Sequence, residues 1–250
     1  MAVGVDAGGT TTRAAVSENG AAAGSAEGPG ANATTLGVDD AADAIVSVVR
    51  KALEHRRPAA IVIGAAGAGR SSVAGTLESL VGSAFADCRV LAGDDAAIAL
   101  RAAIPQGPGI VVIGGTGSIA YAENGERQAR VGGLGSLAGD EGSAFSIGMA
   151  AVRLYGRVLD GRARADETTE VVRHALDAPD RDAYIAALYD VPLVPATIAA
   201  LAPDIIALAG SGNRVATKIV QQAATDLGDL IRSAAKAVDL TDASPAVALA

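Results

Sequence analysis

Val3-Gly4-Val5-Asp6-Ala7-Gly8-Gly9-Thr10-Thr11-Thr12-Arg13 places one carboxylate, two adjacent glycines and three hydroxyls in a single strand, corner and returning strand. Adjacent glycines let the backbone turn sharply and approach a ligand without Cβ interference, and successive N–H groups in such a corner form a concavity that holds anions. An acid beside that concavity points to a metal-bound phosphate. Alone, the string reads equally as an ordinary glycine hairpin. It does not stand alone. Gly114-Gly115-Thr116-Gly117-Ser118 repeats the corner, again entered by an apolar strand, and both copies are left through an Asn-Gly turn, Asn19-Gly20 and Asn124-Gly125. Two phosphate-type corners about a domain apart imply two lobes facing one nucleotide.

Three further clusters could do chemistry. Gly93-Asp94-Asp95 sets two acids at the carboxyl end of a strand, just before a helix, where open α/β sheets bind ligands; helix capping is the structural alternative. Asn32, in the turn-rich stretch Glu27 to Thr35, offers donors and an acceptor that suit a sugar diol, or an Asx-turn. Residues 132–143, Gly-Gly-Leu-Gly-Ser-Leu-Ala-Gly-Asp-Glu-Gly-Ser, put Asp140, Glu141 and Ser143 at the start of a helix running to about Leu159. Capping explains the acids but not five glycines. No G-x-x-x-x-G-K occurs, which excludes a P-loop. His55, at the polar end of a helix, and His174 read as surface or capping residues.

The paired corners resemble the phosphate-1 and phosphate-2 segments of the sugar kinase, Hsp70 and actin ATPase superfamily. Residues 132–143 are more specific. They resemble the G-G-x-G-x-x-x-G-D-E-G-S of its N-acetylglucosamine kinase-like branch, the BadF/BadG/BcrA/BcrD-type ATPase family. The resemblance implies an α/β, two-lobed actin-like ATPase (ribonuclease H-like) fold, each lobe a mixed sheet flanked by helices. Residues 1–106 would form the N-terminal lobe with the phosphate-1 corner and catalytic aspartate. Residues 107–250 would carry the phosphate-2 corner, the sugar-contacting glycine-rich segment and a helical insertion.

It also implies an ATP-dependent kinase for an amino sugar, most specifically N-acetylglucosamine at its 6-hydroxyl, with glucosamine or another hexosamine as the alternative acceptor. Asp95 matches the family's D-A-x-x-A-L base, with Asp94 one residue off. Asp6 would hold Mg²⁺ through water, and Gly8, Gly9, Thr10, Thr11, Gly115, Thr116, Gly117 and Ser118 would cradle the phosphates of ATP. Asn32, Asp95, Gly133, Gly135 and Asp140 would contact the sugar. Leu134 stands where relatives often carry an aromatic. Members tend to form homodimers. A rival of another class is a sugar- or nucleotide-sensing module without turnover.

These residues need a scaffold, and 250 residues, half of them hydrophobic, suffice to bury one. A net charge of −8 with only Lys51, Lys218 and Lys236 as lysines argues against nucleic acid or an anionic membrane as partner. One cysteine, Cys88, excludes a disulfide framework and the cluster ligation that activator ATPases of the same family need. With no apolar run of membrane-span length and no leader before the first strand, a soluble, cytoplasmic protein is expected.

Strands are expected at Met1 to Asp6, Thr11 to Ser17, Ala21 to Ala26, Ala60 to Gly64, Cys88 to Ala92 and Gly109 to Ile113. Ala65 to Arg70 reads as a flexible exit from the fourth of these. Helical spacing predicts helices opened by Asp39 and Asp40, and over Ser72 to Val81, Thr168 to Leu176, Arg181 to Tyr189 and Asn213 to Val238. Pro192, Pro195 and Pro203 punctuate the helical insertion. Val215, Ile219, Ala223, Leu227, Leu230, Ile231 and Ala234 form one stripe, for core or dimer contact. Ser244 to Ala250 reads as the opening of a strand, and the C-terminal portion of the resembled fold, with its adenosine motif, is expected to be missing from these residues.

Overall fold

Val3, Val5 and Ala7 alternate with Ala2, Gly4 and Asp6, so β1 (Ala2–Ala7) has one buried and one open face. The computed structural model describes residues 1–69, 71–190, 195–241 and 244–250, in two units, Met1–Ala103 and Ile104–Ala250. Arg70 and Pro192 lie outside the described residues.

In the first unit β1 is followed by β2 (Thr11–Glu18), β3 (Ala21–Pro29), α1 (Ala33–Leu36), α2 (Val38–Leu53), β4 (Ala60–Ala65), α3 (Ser71–Ala84), β5 (Arg89–Asp94) and α4 (Asp95–Ala103). The sheet order is β3-β2-β1-β4-β5, the first three antiparallel and β4 and β5 parallel to β1. Val3, Val5, Val16, Ile61 and Ile63 pack beneath Ile45, Val48 and Val49 of α2 and Leu77 and Val81 of α3. Two expectations need correction. β3 runs on to Pro29, because Glu27, Gly28 and Pro29 continue the ladder against Arg13, Thr12 and Thr11. No aspartate caps α2: Gly37 occupies the cap, and Asp39 and Asp40 lie exposed in the first turn, where the helix dipole favours negative charge.

The other end of α2 is closed by a residue that periodicity alone passes over. Glu54 turns left-handed at φ 57°, and the Arg56 guanidinium donates to the carbonyls of Ala52 and Leu53 and to that of Ala23 in β3. His55 beside it is exposed.

The second unit holds β6 (Gly109–Gly114), β7 (Ser118–Asn124), β8 (Arg127–Gly132), α5 (Ala144–Leu159), α6 (Glu167–Ala175), α7 (Arg181–Tyr189), α8 (Pro195–Ala199), α9 (Ala202–Gly210), α10 (Arg214–Ala237) and β9 (Ala246–Leu249). Its order, β8-β7-β6-β9, repeats β3-β2-β1-β4, and β9 pairs parallel to β6. The stripe on α10 is core: Leu230 and Ala234 cover Ile110, Val112, Ala120 and Ala122 of the sheet, while Ala216 and Ala223 enter a second cluster with α5, α6, α8 and α9. Among the described residues no single helix is long and apolar enough to cross a membrane.

Candidate active site

The first corner is held from behind and open in front. The β1–β2 ladder ends at Ala7 and Thr12, and the Gly8 N–H closes the turn on the Thr11 carbonyl at 3.0 Å. Ala31 N–H donates to the Gly8 carbonyl at 3.0 Å and Ala66 N–H to that of Ala7 at 2.9 Å, so the chain leaving β3 and the chain leaving β4 both brace it. Gly9 and Thr10 remain exposed, and a Cβ built on Gly9 meets nothing within 4 Å. That open space lets a phosphate oxygen approach the backbone N–H groups.

Asp6 lies on the open face of β1, one residue short of the corner. Its cross-strand neighbour Arg13 is turned to Glu27, Nε to Oε1 at 2.8 Å, which leaves the Asp6 carboxylate without an ion-pair or hydrogen-bond partner among the described residues. Asp6, Arg13, Ser25, Glu27 and Ile98 line a hollow of about 340 Å³. The described residues contain no group of three or more His, Cys, Asp or Glu that could hold a metal by themselves. A lone exposed carboxylate does suit the outer sphere of a cation carried on phosphates.

Asp95 is the first residue of α4 and partly buried. Asp94 Oδ1 and Asp95 Oδ1 both accept from the Ala96 N–H at 2.9 Å, and both residues make further interactions. Gly64 brings this helix in: a Cβ there would lie 2.6 Å from Ile98 Cδ1 and 3.1 Å from the Asp95 Cα. Asp6, Gly64 and Gly93 share one row of the sheet, so Gly93 lies roughly 10 Å from Asp6, two strand spacings away, and Asp95 follows two residues on. Asn32 is joined to the same end through Ala31. Its Oδ1 caps α1, accepting from Thr34 N–H at 2.8 Å, so the Asx geometry is what this oxygen performs. The unit thus gathers Asp6, Gly8 to Thr11, Asn32 and Asp95 at one end of its sheet.

The second corner closes where Gly114 pairs with Ser118, with Gly115 N–H on the Gly117 carbonyl at 2.9 Å. Residues 132–145 fold back over it. Gly133 N–H donates to the Ser118 carbonyl (2.8 Å), Ala144 N–H to that of Gly115 (2.9 Å) and Phe145 N–H to that of Thr116 (3.3 Å). Ser118 Oγ donates to the Glu141 carbonyl at 2.6 Å, and Ser118 N–H to Asp140 Oδ1 at 3.3 Å. Asp140 and Glu141 therefore lie outside the helix, contrary to expectation. α5 starts at Ala144, capped by Ser143 Oγ on the Ser146 N–H, while Asp140 stands in the left-handed region at φ 62°. Gly135 lies on the outside of the loop, its carbonyl accepting from Ala138 and Gly139 N–H. Leu134 is exposed.

Sequence reasoning overlooked Gly30, Ala31 and Gly64, and it read Glu141 only as a helix-start acid, not for the carbonyl that holds Ser118. The turn signal Gly28-Pro29-Gly30 marks the first two only as loop, and Gly64 reads only as the end of a strand. His174 is exposed beside Arg173 and Glu170, as its surface reading required.

The family model described as the BadF/BadG/BcrA/BcrD ATPase family matches residues 3–248. The N-acetylmuramic acid/N-acetylglucosamine kinase of Clostridium acetobutylicum is 33% identical over 169 residues, 67% of this chain and 55% of that protein. The chain therefore spans little more than half of this relative. The N-acetyl-D-glucosamine kinase of Dictyostelium discoideum is 30% identical over 263 aligned residues, 95% of this chain and 80% of the relative. A Chromobacterium violaceum protein named as a candidate N-acetylglucosamine kinase superposes with a TM-score of 0.82 at 29% identity, covering 100% of this chain and 86% of its own. The ROK family glucokinase of Streptomyces griseus, solved with glucose and AMPPNP, covers 99% of this chain and 82% of its own at a TM-score of 0.54 and 22% identity, a likeness of fold.

Proposed function

Because the chain belongs to the BadF/BadG/BcrA/BcrD ATPase family and has the actin-like ATPase fold, we propose that it is an ATP-dependent kinase whose acceptor is an amino sugar, N-acetylglucosamine phosphorylated at its 6-hydroxyl. The observation that carries this reading is the repeated corner. Each unit presents an open glycine turn between the same two strands of the same topology, and the first unit adds Asp95 at the carboxyl end of its sheet. Both curated relatives are named as kinases of N-acetylglucosamine.

Phosphoryl transfer asks the protein mainly for positioning and charge stabilisation. The corners Gly8 to Thr11 and Gly115 to Ser118 cradle phosphate oxygens of the donor through the N–H groups of Gly9, Thr10, Thr116 and Gly117, which make no bond within the corners among the described residues, and Asp6 would hold through water the Mg²⁺ that the phosphates carry. Mg²⁺ supplies neutralisation of the charge building on the transferred group. Asn32, Gly133, Gly135 and Asp140 contact the sugar. Asp95 accepts the proton of the acceptor hydroxyl, whose oxygen bonds the γ-phosphorus as the bond to ADP breaks.

An ADP-release assay with Mg-ATP against N-acetylglucosamine, glucosamine, N-acetylmuramic acid and glucose tests the reading. N-acetylglucosamine is expected to turn over fastest, giving the 6-phosphate by ³¹P NMR. No turnover on any sugar by the folded protein would overturn it.

A further inference from the structure

Asp140 is only 8% exposed, yet its two carboxylate oxygens have different circumstances. Oδ1 accepts the Ser118 N–H at 3.3 Å. Oδ2 bonds no described residue, and it is not among the side-chain atoms sealed from solvent without a partner. The carboxylate also occupies the space that Gly117 leaves vacant, since a Cβ there would lie 2.8 Å from Oδ1 and 3.0 Å from Oδ2. One oxygen is committed to the phosphate-2 corner and the other is available. Around this contact, residues 133–145 hold the corner through the further bonds of Gly133, Glu141, Ala144 and Phe145.

We propose that Asp140 is a positioning residue that links the two ligands of this unit: Oδ1 holds Ser118 of the nucleotide corner while Oδ2 accepts a hydroxyl of the acceptor sugar. This rests on the kinase reading above. A mostly buried carboxylate oxygen without a donor is costly, and a sugar hydroxyl relieves that cost with a charge-assisted bond. Once both oxygens are bonded the carboxylate is fixed, the Gly115–Ser118 corner is fixed with it, and the nucleotide meets N–H groups already in place. Sugar therefore tightens nucleotide binding. By linkage, nucleotide must tighten sugar binding by the same factor.

Calorimetric titration of Mg-AMPPNP with and without saturating N-acetylglucosamine, and the reverse titration, reads that factor. For the whole 250-residue chain it is expected to be about fivefold or more in both directions. Asp140→Asn tolerates the left-handed backbone and can still accept from Ser118, but it turns an amide donor toward the sugar. The factor should collapse towards one while the melting temperature barely moves. Gly117→Ala approaches from the other side, displacing the carboxylate with a Cβ, and should lower the factor too. This second variant settles the matter if the first fails to fold. A factor retained in both variants would make Asp140 a plain sugar contact and overturn the link. A wild-type factor of one would overturn it as well, while turnover in the ADP-release assay would leave the kinase reading standing.

Discussion

Gly30 lies so close to Gly9 that a Cβ on Gly30 would stand 2.3 Å from the Gly9 carbonyl oxygen, 2.6 Å from its carbon and 2.8 Å from the Thr10 nitrogen. All three atoms are backbone of the phosphate-1 corner, so no side chain can rotate away. Gly30→Ala must displace the corner. The expected cost is about 1–3 kcal/mol of stability in urea titrations, as for overpacking generally. KM for Mg-ATP should rise. A variant with wild-type stability and KM would show that the corner is not braced through this contact.

Asp94 and Asp95 share one structural task, since an Oδ1 of each accepts the Ala96 N–H. Asn at either position keeps a side-chain oxygen for that N–H, so each substitution should leave stability nearly unchanged. Only Asp95→Asn should slow chemistry. Removal of a general base lowers kcat by about 10² to 10⁴, with melting temperature the control. Equal loss of kcat in both variants would refute the assignment of the base to one residue.

Thr12 is fully buried on the face of β2 that packs into the core, and its Oγ1 has no hydrogen-bond partner among the described residues. An unsatisfied buried hydroxyl costs about 1–3 kcal/mol. Thr12→Val keeps the shape and removes the hydroxyl, so it should stabilise the protein by about 1 kcal/mol. Nucleotide affinity should not change, because the side chain points away from the open corner. Differential scanning calorimetry and Mg-AMPPNP titration would check both parts.

The corners were legible because glycine pairs and Asn-Gly turns are local signals, and the sheet repeat follows from them. What holds the corners was not. Ala31, Ala66 and Glu141 contribute main-chain groups, and a backbone N–H or carbonyl leaves no trace in residue identity. The end of β3 was missed because Glu27-Gly28-Pro29 carries turn formers that ladder pairing overrides at a sheet edge. Asp140 was placed in the helix because an acid followed by Ser143 reads as capping, while the left-handed φ that turns it toward Ser118 depends on the whole loop.

All four tyrosines, at positions 121, 155, 184 and 189, belong to the second unit, and burial pushes the phenols of Tyr155 and Tyr184 above their ordinary value. Their rings meet edge to face at 5.5 Å, and their hydroxyls donate to the carbonyls of Ala178 and Val152. The folded state thus favours the neutral phenol. Below about pH 10, the ordinary phenol value, both states keep the proton and this contribution is complete. As pH rises further the unfolded ensemble ionises first, and stability falls until the folded pKa is passed. Urea titrations between pH 8 and 11 should show that decline. Absorbance at 295 nm should show Tyr155 and Tyr184 titrating above the ordinary phenol value. Tyr155→Phe and Tyr184→Phe should each lose about 0.5–1.5 kcal/mol at neutral pH with the hydrogen bond, and each should flatten the alkaline slope. If Tyr155 and Tyr184 titrated at the ordinary value, burial would not be holding these two neutral, and the packing of α5 against α7 would need another account.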